Sequence, residues 1–185
     1  MSPTPRLAGP RPSWYRRLSP SLRRVAEQSD LHPTLPLRPG PVLVEAVIEL
    51  PRVLASGVPG AVQDVAQRVA DGVCRAFGVP AVCVRVEARR PSNARGELHG
   101  LYVPAPRGAP GTITVWMRTA KREQVVAPRT FLRTLLHELC HHLDYTYLRL
   151  GNSLHSQGFY RRESSLVWAI DRALAASGTP LAACV

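Results

Sequence analysis

The sequence predicts a small α+β domain behind a loose N-terminal arm. Three observations carry that reading: an apolar stripe at helical spacing over residues 60–77, three strand-like segments between residues 82 and 117, and two amphipathic helical segments after residue 128. With 185 residues, 45% of them apolar, the chain is long enough for one domain with a buried core.

Residues 1–41 are rich in Pro and Arg, and Arg11-Pro12, Ser19-Pro20, His32-Pro33 and Arg38-Pro39 recur through them. Each proline removes a backbone donor and biases its predecessor to extended conformations. A flexible, polyproline-like arm is therefore expected over 1–41, with a short helix near 19–28 that Ser21 would cap, and residues 42–185 are assigned to the folded domain. Within 42–56, Glu45 and Glu49 are spaced as on a helix, while Pro51 argues for an interruption. Over 60–77, Val62, Val65, Ala66, Val69, Val73 and Phe77 form one helical stripe, and Gly78-Val79-Pro80 stops it. Val82, Val84 and Val86 then alternate with Cys83, Arg85 and Glu87, as in a half-buried strand.

Residues 91–96 read as a turn, 97–103 as a second strand, 104–111 as a Pro/Gly loop and 112–117 as a third strand. The third strand contains no proline, and it is expected to be an exposed edge that an extended substrate joins as a further strand. Pro128 and Thr130 open a helix with Thr130 as its expected N-cap, and Leu132, Leu135, Leu136, Leu139 and Leu143 form its buried stripe. Gly151-Asn152 reads as the stop, so the helix is taken to run to Leu150. A last helix is expected over 156–176, with Phe159, Leu166, Val167, Ile170 and Leu174 facing inward.

Composition excludes several classes of function. No uncharged apolar stretch approaches the roughly 20 residues that cross a bilayer, so no membrane partner is expected. The charged N-terminus has no apolar segment behind it, which argues against a secretory signal. Cys74, Cys83, Cys140 and Cys184 lack paired spacing, and a reducing, cytoplasmic setting is expected in place of a disulfide framework. The formal net charge is +11, but of 24 basic residues only Lys121 is lysine, which marks a compositional bias toward arginine. That charge can steer acidic ligands. With no basic run interleaved with aromatics, nucleic-acid contact through the arm is carried only as an alternative.

The run that carries chemistry is His137-Glu138-Leu139-Cys140-His141. Two histidines four apart on a helix share a face, so both imidazoles reach one zinc ion, and the carboxylate beside the first can take a proton from a water held there. A catalytic zinc needs a third protein ligand and one open position. His155 and Glu163 compete for that place. From a helix ending at Leu150, His155 is reached only over a nearly extended return, whereas Glu163 comes level with His141 if the last helix doubles back. His142 should point away from the ligands, toward a carboxylate or solvent, and Asp144 is expected to face solvent more than to orient an imidazole. Cys140 reads as a small core residue. Tyr145, Tyr147, Tyr160 and Arg161 are all eligible to steady an oxyanion, with nothing to select among them. Trp116 and Trp168 read as core aromatics.

Residues 134–145, followed by 154–162, resemble the SprT-like (Spartan-type) zinc metalloproteases, whose pattern joins H-E-x-x-H to a third histidine with an aromatic four residues on. Here those positions are His137, Glu138, His141, His155 and Phe159, and the resemblance extends over residues 60–176. It implies a zincin-like core, a Zn2+ cofactor held by His137, His141 and His155, Glu138 as general base, and a metallopeptidase acting on polypeptide. Ser156 stands where that family usually has glycine, and no C-terminal cysteine cluster of the zinc-ribbon kind follows. The rival expectation is a non-catalytic, zinc-binding regulatory or nucleic-acid-associated module on the same scaffold.

Overall fold

In the computed structural model, which describes residues 13–94, 96–105 and 109–178, helices back one face of a three-stranded sheet. After a 3-10 turn at Ser13–Arg17 come α1 (Pro20–Asp30), α2 (Pro41–Ser56) and α3 (Pro59–Phe77). Then follow β1 (Val82–Arg89), the two-residue β2 (Ser92–Asn93) and β3 (Gly96–Glu97), β4 (Gly100–Val103) and β5 (Gly111–Arg118). The chain continues through α4 (Pro128–Thr146) and α5 (Gln157–Ala176). The α+β class expected from the sequence is the one observed.

The apolar stripe of α3 is buried as its periodicity requires, and Gly78, at φ 63°, ends the helix in the left-handed conformation that glycine adopts without a steric penalty. α2 differs from expectation, because it runs unbroken through Pro51. An internal proline costs roughly 3 kcal/mol. Leu43, Val47, Leu50, Val53 and Leu54 are all buried on the same helix, and each contributes about 1.5–3 kcal/mol on leaving water, so tertiary burial outweighs the local defect.

In the sheet, β1 runs parallel to β5 and β4 runs antiparallel to it, giving the order β1-β5-β4. Val82, Val84 and Val86 join Ile113, Val115 and Met117 on the face that α3 and α4 cover. The expected second strand is divided, with Glu97 in β3 and the ladder to β5 starting only at Gly100. The expectation that 112–117 is an exposed edge is corrected. β5 is the central strand, paired on both sides, and the missing proline fits that position because every N–H is free to join a ladder. Among the described residues, β4 instead has a strand on one side only.

The expected arm over 1–41 is corrected from Ser13 onward, and its first part, residues 1–12, lies outside the described residues. α1 is capped by Ser19, whose Oγ accepts the Leu22 N–H at 3.3 Å, and not by Ser21. It packs on α5 and buries Ala26 and Ser29. Residues 31–40 then form an extended strap in which Leu35 and Leu37 are buried and the Leu35 N–H donates to Ser165 Oγ at 2.9 Å. Prolines keep that strap extended, and the two leucines give it something to bury.

The contact between α1 and α5 is close enough to demand glycine. Gly158 N–H donates to Asp30 Oδ1 at 2.6 Å, and a β-carbon at residue 158 would overlap the Ser29 carbonyl. Gly158→Ala is therefore expected to lower stability by about 1–3 kcal/mol, read as a fall of several degrees in melting temperature. An unchanged melting curve would contradict this packing.

Candidate metal centre

α4 begins with Pro128 at its first position and Ala127 as N-cap, so Thr130 lies inside the first turn and caps nothing. Its leucine stripe, Leu132, Leu135, Leu136, Leu139 and Leu143, is buried against the core. The adjacent face carries His137 and His141, one turn apart, with ring centroids 5.0 Å from each other. The helix ends at Thr146, earlier than the expected Leu150, and Arg149 at φ 55° turns the chain back. The longer return removes the strain from the route to His155.

His155 comes down onto the other two histidines. Its Nε2 is 3.0 Å from His137 Nε2 and 3.1 Å from His141 Nε2, and one ligand atom from each residue lies within 4.8 Å of the others. Three histidines are therefore close enough to hold a metal ion. Nitrogens held about 2.0–2.1 Å from a tetrahedral ion lie about 3.3 Å apart, close to the spacing found. Among the described residues this is the only such group of His, Cys, Asp and Glu. Phe159, fully buried, forms its floor, with its ring centroid 4.9, 4.5 and 5.0 Å from those of His137, His141 and His155.

Glu163, the other sequence candidate for third ligand, sits on the far side of the His137 ring. Its Oε2 accepts from His137 Nδ1 at 3.0 Å, and its Oε1 accepts from Arg133 Nε at 2.8 Å. Burial pushes this carboxyl up, but the hydrogen bonds from His137 and Arg133 outweigh it and hold Glu163 below the ordinary range. A charged carboxylate only accepts, so His137 carries a hydrogen on Nδ1, and the bond turns its Nε2 toward the cluster. Burial, followed by the neighbouring His137 and His155, pushes His141 down to about 3, which keeps its imidazole neutral.

Glu138 turns from the histidine face toward β4. It is buried, and burial pushes its carboxyl up to about 7, against the pull of His137. A β-carbon at Gly100 would overlap this carboxylate, so only glycine lets the strand come so near. Glu138 and Gly100 form the common wall of two cavities of about 410 and 300 Å³. His137 lines both, while His141, His155, Tyr102, Tyr145 and Ser153 line the smaller one.

The remaining candidates separate clearly. His142 faces away, donating from Nε2 to the Pro80 carbonyl at 2.9 Å and accepting the Tyr102 hydroxyl at 3.1 Å. Asp144 does not face solvent: it is fully buried, with Ser153 Oγ donating to it at 2.7 Å and Arg162 forming an ion pair at 2.9 Å. Cys140 is a core residue, as expected. Tyr145 lines the cleft, whereas Tyr147 packs on Phe77 and Tyr160 stacks on His155. Trp116 is buried, but Trp168 is 60% exposed with Arg172 over its ring, correcting its assignment to the core.

Gly100, Ser153 and Arg162 were not singled out as site residues by sequence reasoning. Only Gly100 left a local signal, as an isolated glycine within a strand pattern. No family model, curated protein or solved structure matches this chain, so the likeness to SprT-like metalloproteases rests on the motif residues themselves.

The geometry separates the two third-ligand candidates by experiment. His155→Ala is expected to abolish stoichiometric metal binding, whereas Glu163→Ala should still bind one ion per chain with about 10–100-fold lower affinity. Metal content and affinity measured side by side by elemental analysis and titration check this, and the reverse order would make Glu163 the ligand.

Proposed function

We propose that this protein is a zinc-dependent metallopeptidase. The observation that carries the reading is the convergence of three imidazoles beside a buried carboxylate at the wall of an open cleft. Imidazole donors suit zinc, and three of them leave a fourth position for water or substrate. When bound there, zinc supplies Lewis acidity, polarising a scissile carbonyl and making water a better acid.

The chain's own residues supply the rest. Glu138, with its carboxyl near 7, is suited to take the water proton on a carboxylate oxygen and to return it to the leaving amine. Gly100 keeps β4 close enough to hold that carboxylate in place. The side of β4 that no described strand pairs offers backbone groups to an extended polypeptide, and the cavities on either side of Glu138 give room for its side chains. Of the sequence candidates for oxyanion stabilisation, Tyr145 is the one on the cleft wall and is assigned that role.

Glu138→Gln removes the base while preserving shape. It is expected to retain zinc and to lose about 10²–10⁴-fold in hydrolysis of an unfolded polypeptide, followed by gel and by release of new amino termini. A chelator should abolish the wild-type activity, and added zinc should restore it. If zinc-loaded wild type and Glu138→Gln are indistinguishable, the non-catalytic zinc module is the correct reading. Gly100→Ala tests the support given to the base: zinc content is expected to stay at wild-type level while hydrolysis falls at least tenfold, and full activity would show that Glu138 does not depend on the strand.

A further inference from the structure

The relation between Ser153, Asp144 and Arg162 goes beyond the ligands themselves. Arg162 has no access to solvent, and all five of its N–H donors are met. Nε donates to Asp144 Oδ1 at 3.0 Å and Nη2 to Asp144 Oδ2 at 3.1 Å. Nη1 donates to the carbonyls of Ser29 at 2.6 Å and His32 at 2.7 Å, and Nη2 also to Ser29 Oγ at 2.8 Å. A guanidinium fork of this kind requires a carboxylate that accepts.

The hydrogen bonds outward from Asp144 fix the remaining protons. Its Oδ2, committed as an acceptor, takes the hydroxyl hydrogen of Ser153 at 2.7 Å. That is the only hydrogen Ser153 Oγ has, so at 2.6 Å from His141 Nδ1 the oxygen can only accept. His141 must then carry its hydrogen on Nδ1 and present the bare Nε2 to the cluster.

We propose that Ser153 is a positioning residue that fixes the tautomer and ring orientation of His141, and that its own orientation is set by a buried chain running through Asp144 and Arg162 to the end of α1. The metal centre is thereby wired to the N-terminal segment across 133 residues of sequence. His137 is oriented by the Glu163 carboxylate directly, whereas His141 is oriented through a hydroxyl, so the two ligands on one helix are held by different means. The inference rests on the reading of His137, His141 and His155 as a cation site, and its test has an arm that needs no cation.

The first arm follows the two-bond nitrogen correlations of ¹⁵N-histidine-labelled, metal-free protein by NMR. Wild-type His141 is expected to be protonated on Nδ1, Ser153→Ala to show a mixture of tautomers, and Ser153→Thr, which restores a hydroxyl, to return to Nδ1. The second arm titrates the same three proteins with Co2+ and reads visible absorption. Ser153→Ala is expected to bind about 10–100-fold more weakly, and Ser153→Thr close to wild type. Wild-type His141 protonated on Nε2 overturns the proposal, and so does Ser153→Ala with an unchanged tautomer, even if its affinity falls, because the residue then acts only through packing. If wild type fails to bind Co2+, the peptidase reading fails, and the tautomer measurement decides the role of Ser153 on its own.

Discussion

A guanidinium sealed from water must have its charge neutralised and its donors met inside the protein, and that demand from Arg162 organises the C-terminal half of this molecule. Asp144 on α4 supplies the charge, while the last turn of α1 and the start of the strap supply the remaining acceptors. Removing one partner of such a pair leaves an uncompensated buried charge at about 3–5 kcal/mol. The fork therefore ties α4 to α5 and both to α1, and the imidazoles meet in the angle between those two C-terminal helices. The clamp is electrostatic at its centre and apolar around it, with Phe159 and Leu166 buried on the same helix.

Helical geometry then divides labour among consecutive residues of α4. Leu136 and Leu139 go to the core, His137 and His141 to the cluster, Glu138 to β4, and His142 to Pro80 and Tyr102. A rotation of 100° per residue is enough to send neighbours in sequence to different surroundings. The same residues that hold the helix in place thus fix the directions of the ligands. The base is held differently, against a strand that can approach only because residue 100 has no side chain.

Much of the fold was legible in the chain because it rests on local periodicity. The α3 stripe, the alternation of β1 and the leucine face of α4 each follow from apolar residues recurring at the spacing of one element. The histidine cluster was legible for the same reason, since two ligands lie one helical turn apart and the third follows shortly after. Strand order was not, because β5 reads alike whether it has one neighbour or two. Asp144 was misjudged and Arg162 passed over because their relation lies between elements, and local pattern treats a charged residue as solvated unless its partner is known. The Pro-rich strap was read as loose on composition, although Leu35 and Leu37 sit in it. Trp168, beside the inward positions of α5, is exposed with a cation over its ring, and periodicity alone did not separate it from them.

The two ring closures in this half of the protein differ greatly in length. The contact between His137 and His155 closes a loop of 18 residues, whereas the one between Arg162 and Ser29 closes 133. Chain entropy opposes the longer closure by about 2 kcal/mol more. The imidazoles can thus gather as a nearly local event, and the attachment of the amino-terminal helix is the step that waits on the rest of the chain.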